Sequence, residues 1–263
     1  MKFLGRILIA LALGSLFSTV WADDALEESL AGVYRIFDEK VSGTAFAISH
    51  VDGEKKEHVF LVTAGHVFNQ MKGQEGKLAL RVRETDGSYI RREVSIAIRK
   101  GEAPLWKKHA TLDIAVLPIT QPEKLGLSTM PLSRIVGEKE LQGKLARVGQ
   151  ETWTPGFPAK AEANPAGWPV LRKGIIASHP LTPSKTYKTF LLSSNTFGGD
   201  SGAPVLVQAG KEYWVAGMVQ GMLRETNRSV LPYEERVAHM PLGLGIVVQG
   251  EFIREVIQEL MPR

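Results

Sequence analysis

Short runs that alternate apolar and polar residues dominate the chain. Val33 to Phe37 alternates and stops at Asp38-Glu39. Thr44 to Ile48 follows Gly43 and ends near Asp52-Gly53, a hairpin signal, and Val59 to Val62 is a short apolar run beyond it. Leu78 to Arg83 and Tyr89 to Ile98 flank a second turn at Asp86-Gly87. Further strand candidates are Ile114 to Ile119, Leu145 to Val148, Gly174 to Ser178, Thr189 to Leu192, Pro204 to Val207, Tyr213 to Val219 and Leu244 to Val248. Period-two runs at near-regular spacing, with turn residues between them, predict an all-β barrel or sandwich. The missing helix–strand alternation argues against a doubly wound sheet. One helix is predicted, at the end: in Glu251 to Leu260 the residues Phe252, Ile253, Val256, Ile257 and Leu260 fall on one face, expected to pack on the barrel. Glu151 to Trp168, with Pro155, Pro158 and Pro165, reads as an irregular connection, either a surface loop or a strap between domains.

The first residues follow a different logic. Lys2 and Arg6 precede an apolar run from Ile7 to Phe17, and small residues at Val20 and Ala22 are followed by Asp23 and Asp24. This is the pattern of a secretory signal peptide over residues 1–22, cleaved after Ala22. The run is shorter than the roughly 20 residues a membrane span needs, so no stable membrane insertion is expected once the signal is gone. A secreted or periplasmic product is expected. The chain has no cysteine, which excludes disulfides, thiol nucleophiles and Cys-based metal sites. About 240 residues can be held by core burial alone.

The formal net charge is +4, of which Lys2 and Arg6 supply two, so the remainder is nearly balanced. Arg81, Arg83, Arg91, Arg92, Arg99 and Lys100 are interleaved with Glu84, Asp86 and Glu93, and read as a solvated strand face rather than a nucleic-acid patch.

Three local patterns carry chemistry. His66 directly follows an apolar run and small residues, Val62-Thr63-Ala64-Gly65; alone, it is a structural residue or a ligand. Asp113 opens the apolar run Ile114 to Leu117, and a carboxylate entering a core requires a partner unless it stays at the surface. Ser201 is bedded in Phe197-Gly198-Gly199-Asp200-Ser201-Gly202-Ala203-Pro204, where glycines permit a sharp turn. The Gly199 and Ser201 amides there suit an oxyanion; the plain alternative is a Gly-rich hairpin. Taken together the three are more specific. A serine hydroxyl needs a base to take its proton, and the base needs a carboxylate to orient it and stabilise its cation. His66, Asp113 and Ser201 supply base, orienting acid and nucleophile, in that order.

The blocks Val62 to His66, Leu112 to Leu117 and Gly198 to Val205 resemble the three active-site blocks of the chymotrypsin-like (trypsin-like) serine proteases. The likeness is greatest to the disulfide-free bacterial branch that includes the Deg/HtrA-type protease domains. Ser42 to Ile48 resembles that family's early hairpin, Val215 to Met222 its pocket strand, and Leu242 to Ile257 its closing strand and helix.

The resemblance implies two six-stranded barrels with a C-terminal helix over residues 23–263, divided near 120–140, and no PDZ domain. It implies peptide-bond hydrolysis through an acyl-enzyme on protein or peptide substrates, with no metal or organic cofactor, no nucleic-acid partner and no stated oligomeric state. It places Asn195 at the base of the specificity pocket, Gln220, Gly221 and Met222 on its wall, and Thr196 among the substrate-binding residues. Without an acid at the base or a histidine on the wall, small or medium uncharged residues are the expected preference. Asp200, which pairs with a new N-terminus in zymogen-activated relatives, needs another donor or exposure to solvent here. The competing readings are a catalytically silent binding module of the same fold and a non-proteolytic hydrolase using the same three residues.

Overall fold

A computed structural model describes residues 21–261. Helix α1 (Trp21–Ala31) leads into ten strands: β1 (Val33–Phe37), β2 (Ser42–Val51), β3 (Glu57–Thr63), β4 (Glu75–Arg83), β5 (Tyr89–Ala97), β6 (Arg99–Lys100), β7 (Ala103–Pro104), β8 (Lys107–Lys108), β9 (Ala115–Ile119) and β10 (Met130–Pro131). Helices α2 (Gly65–Gln70) and α3 (Pro122–Leu125) interrupt them, and α4 (Glu138–Gln142) follows. The remaining strands are β11 (Glu151–Gly156), β12 (Val170–Ile176), β13 (Thr189–Ser193), β14 (Pro204–Ala209), β15 (Glu212–Leu231) and β16 (Glu234–Gln249), closed off by α5 (Gly250–Leu260).

The second half is a closed barrel in the order β11-β12-β13-β16-β15-β14. The first half forms the other barrel half. It is an eight-stranded sheet, β5-β4-β1-β2-β3-β9-β8 with β10 beside β2, whose ladder stays open. Among the described residues no ladder joins its edge strands β5 and β8. The open sheet still wraps a core, with Ile36, Phe46, Leu61, Phe68, Leu78 and Ile114 fully buried. A second cluster, including Ile176, Leu192, Val205, Val207 and Val247, fills the barrel.

Two elements join the halves. Helix α5 buries Phe252, Ile253, Val256 and Ile257 in the core it shares with the first sheet, as its spacing predicted. Each such side chain contributes about 1.5–3 kcal/mol. The second tie is the segment after β11. Glu162 accepts from Arg35 (3.1 Å) and Arg91 (3.0 Å), while Trp168 meets Tyr89 edge-on (5.3 Å) and lies under the Arg81 guanidinium (4.9 Å). The Pro-rich stretch is therefore a strap.

Other expectations shift. Residues 151–156 are a strand, because Thr152, Trp153 and Thr154 favour extended backbone and pair with Gly174, Lys173 and Arg172. Leu145–Val148 lies in turns: Lys144 and Gly149 take left-handed backbone and break any ladder there. The basic stretch is not one solvated face. Arg81 sits between Tyr34 and Trp168, Arg99 donates to the carbonyls of Phe68 and Met71, and only Arg83, Arg92 and Lys100 of the six are exposed. Strands β15 and β16 run far past their predicted ends as a ribbon tied by Arg228–Glu235 and by Thr226–His239 (2.9 Å). Both ribbon faces are solvated, so no apolar alternation marked it. The expected signal run lies in residues 1–20, outside the described residues, and the Ala22–Asp23 bond falls in α1. Among the described residues no helix is long and apolar enough to cross a membrane.

Candidate active site

The imidazole is presented by a strand-to-helix junction. β3 ends at Thr63, and α2 begins two residues later with Val67 and Phe68 driven into the core, the latter stacked on Trp106 at 5.6 Å. That anchoring leaves His66 facing outward. Its backbone N–H donates to Asp113 Oδ1 (2.9 Å) and its Nδ1 meets Oδ2 (2.5 Å), so one carboxylate grips both the ring and the chain that carries it. Gly65 makes this approach possible: a Cβ there would sit 2.8 Å from Asp113 Oδ1. Half-burial pushes the Asp113 carboxyl upward, but the His66 hydrogen bonds and charge, with Lys108 nearby, outweigh it and hold the group below the usual carboxylate range. Nδ1 is thereby the donor nitrogen, and the Nε2 lone pair is left for the cleft.

Asp113 lies in the turn before β9, and His109 builds that turn. The His109 Nδ1 accepts the N–H groups of Thr111 (3.1 Å) and Leu112 (3.0 Å), and its ring packs edge-on against Phe252 of α5 at 5.7 Å.

Ser201 enters from the other half, on the loop between β13 and β14. Its carbonyl accepts the Thr44 N–H (2.9 Å), while the next amide, Gly202, donates to Val219 O (2.8 Å). The serine loop is thus pinned between β2 and β15. Gly199 takes a φ of +98°, backbone open to glycine, and any Cβ there would collide with the Phe157 carbonyl. The Gly198 carbonyl accepts from Ala159 N (2.6 Å) and the Gly199 carbonyl from Thr44 Oγ1 (2.8 Å). A trans peptide sends its N–H opposite its C=O, so fixing the Gly198 carbonyl fixes the direction of the Gly199 amide.

Asp200 is fully buried, and its donor is a residue the sequence reading did not single out. Arg172 on β12 meets it fork to fork, Nη1 to Oδ2 at 2.6 Å and Nη2 to Oδ1 at 2.5 Å. The Phe197 N–H supplies a third bond (2.8 Å), and Arg172 Nη1 also donates to the Asn195 carbonyl (2.8 Å). A buried acid demanded a cation, but nothing local to Arg172, which sits beside Lys173 in β12, marks it as the one.

His66 and Ser201 line one cleft of about 670 Å³, without a hydrogen bond between them. Such bonds are often loose in unliganded sites and tighten on substrate. Gly199, Thr196, Gln220, Gly221 and Met222 line the same cleft. Asn195, expected at the pocket base, is instead exposed and does not line it; the buried neighbour Thr196 does. Among the described residues no cluster of three or more His, Asp or Glu side chains is arranged to hold a metal.

A closed barrel and a second sheet that forms the other barrel half, meeting where an imidazole from one faces a serine loop from the other, is the architecture of the chymotrypsin-like serine peptidases. The family model for the trypsin-like peptidase domain matches residues 43–218, and the chain belongs to that family, a serine peptidase by class. The crystal structure of Rv3671c from M. tuberculosis H37Rv, a serine-to-alanine mutant in an inactive form, is similar with a TM-score of 0.53 at 14% identity, covering 95% of this chain and 96% of that one. The Rv3671c protease in its inactive form matches at 14% identity over 92% of this chain and 95% of that one, with a TM-score of 0.48. The first of these likenesses speaks to the fold alone. No curated protein matches the chain.

Proposed function

We propose that the chain is an exported endopeptidase in which Ser201 is the nucleophile, His66 the general base and Asp113 the group that orients and charges the imidazole. The observation that carries this reading is the double grip of Asp113 on His66, which commits Nδ1 and leaves Nε2 for a proton. Ser201 Oγ attacks the substrate carbonyl carbon as its proton passes to Nε2. The Gly199 and Ser201 amides hold the oxyanion. Collapse expels the amine, which takes the proton from His66, and leaves an acyl ester on Ser201. Water, deprotonated by His66, then hydrolyses that ester. Arg172 keeps Asp200 buried and so keeps the neighbouring Gly199 amide in place. The pocket takes a small or medium uncharged side chain, since Thr196, Gln220, Gly221 and Met222 bring no charge to it.

The test pairs a fluorophosphonate probe with casein, using the chain from Asp23 and its Ser201→Ala variant. Labelling with casein cleavage, both lost in the variant, supports the proposal. Labelling without cleavage assigns an esterase, and neither assigns a silent module.

A further inference from the structure

The substrate cleft carries positive charge on both sides of Ser201. Its lining includes Lys40, Lys160 and Arg224 and no carboxylate. All three side chains are exposed, and none forms an ion pair among the described residues. Of the neighbouring acids, Asp38 accepts the Lys40 and Val41 amides and Glu162 holds Arg35 and Arg91, while Glu39 and Glu225, next in sequence to Lys40 and Arg224, are exposed and do not line the cleft. In a chain with nearly as many acids as bases, three unpaired cations around one cleft set a local field that the overall charge does not reveal.

Their placement is ordered. The Ser201 carbonyl bonds Thr44 on β2 and the Gly202 amide bonds Val219 on β15, so the nucleophile sits between those strands. Lys40 precedes β2. Lys160 belongs to the same flank, because Phe157 N donates to Thr44 Oγ1 (3.2 Å). Arg224 lies on the opposite flank, two residues past Met222 on the strand that carries the pocket wall.

We infer that Lys40, Lys160 and Arg224 select peptides with Asp or Glu on both sides of the scissile bond, Arg224 reading the acyl side and the two lysines the leaving-group side. This rests on the endopeptidase reading and adds the substrate class. Exposed ion pairs are individually weak, so each cation met raises kcat/KM by about two- to fivefold, and the effect fades with salt.

The experiment uses quenched fluorescent peptides that share an uncharged core, with Asp, Ala or Lys placed on one side or the other. Acidic peptides are expected to exceed their Lys counterparts by about tenfold at low ionic strength, and by much less in 0.5 M salt. Arg224→Glu should invert only the acyl-side preference, and Lys40→Glu with Lys160→Glu only the other. Anisotropy with the same peptides on Ser201→Ala reads the preference without turnover. A protein that binds acidic peptides yet resists fluorophosphonate would overturn the catalytic reading and keep this one. Equal binding of acidic and basic peptides, or a preference that survives all three reversals, would overturn the charge selection itself.

Discussion

Replacing Arg172 with alanine strips two of the three hydrogen bonds from a carboxylate with no solvent exposure. An acid left buried without its cation costs about 3–5 kcal/mol, more than a surface loop can hold in place. The loop relieves this by turning Asp200 toward water. Gly199 is one peptide away, and its amide moves with that turn. Loss of one oxyanion donor lowers kcat by about 10²–10³-fold. The two figures are similar, so relaxation trades stability for activity. We expect casein turnover to fall at least 100-fold, chiefly in kcat. Relaxation should limit the drop in Tm to a few degrees, given about 2–4 °C per kcal/mol for a protein of this size. Arg172→Lys should fall between, because an ammonium cannot engage both carboxylate oxygens and the Asn195 carbonyl in one plane. Wild-type turnover and wild-type Tm in Arg172→Ala would refute the argument that the Asp200 pair holds the oxyanion loop.

Asp113→Asn should keep the fold and lower kcat by about 10⁴-fold at neutral pH, since an amide favours the wrong imidazole tautomer; steady-state kinetics with circular dichroism checks both halves of that statement. Because Asp113 is held below the usual carboxylate range, its contacts stabilise the fold at every pH above that range and lose their contribution as pH falls through the lowered value. Urea midpoints of the wild type and Asp113→Asn should therefore differ at pH 6 and converge as pH falls through the lowered value. Ile253→Ala, at a fully buried position in α5, should cost about 2–5 kcal/mol in chemical denaturation, because the helix face seals the core shared with the first sheet. Gly199→Ala should abolish fluorophosphonate labelling, since the left-handed φ and the Phe157 carbonyl both exclude a side chain.

Much of the fold was legible because the early strands are short runs stopped by turn residues. Val33 to Phe37 and Phe252 to Ile257 declared their elements through period, and Thr44 to Ile48 through the Gly43 and Asp52-Gly53 that bound it. The ribbon of β15 and β16 beyond Met222 did not, since strands wet on both faces carry no apolar period. At the site, His66, Asp113 and Ser201 stood out because each interrupts a local pattern. Arg172 and His109 did not, because their partners lie across the fold, where only coordinates bring Asp200 and the Thr111 and Leu112 amides to them.

The most direct measurement is the second-order rate of fluorophosphonate labelling, with the adduct mapped by peptide mass spectrometry, in the wild type and in His66→Ala. The account predicts one adduct, on Ser201, formed at least 1,000-fold more slowly without the imidazole. An adduct on another residue, or an unchanged rate in His66→Ala, would contradict it.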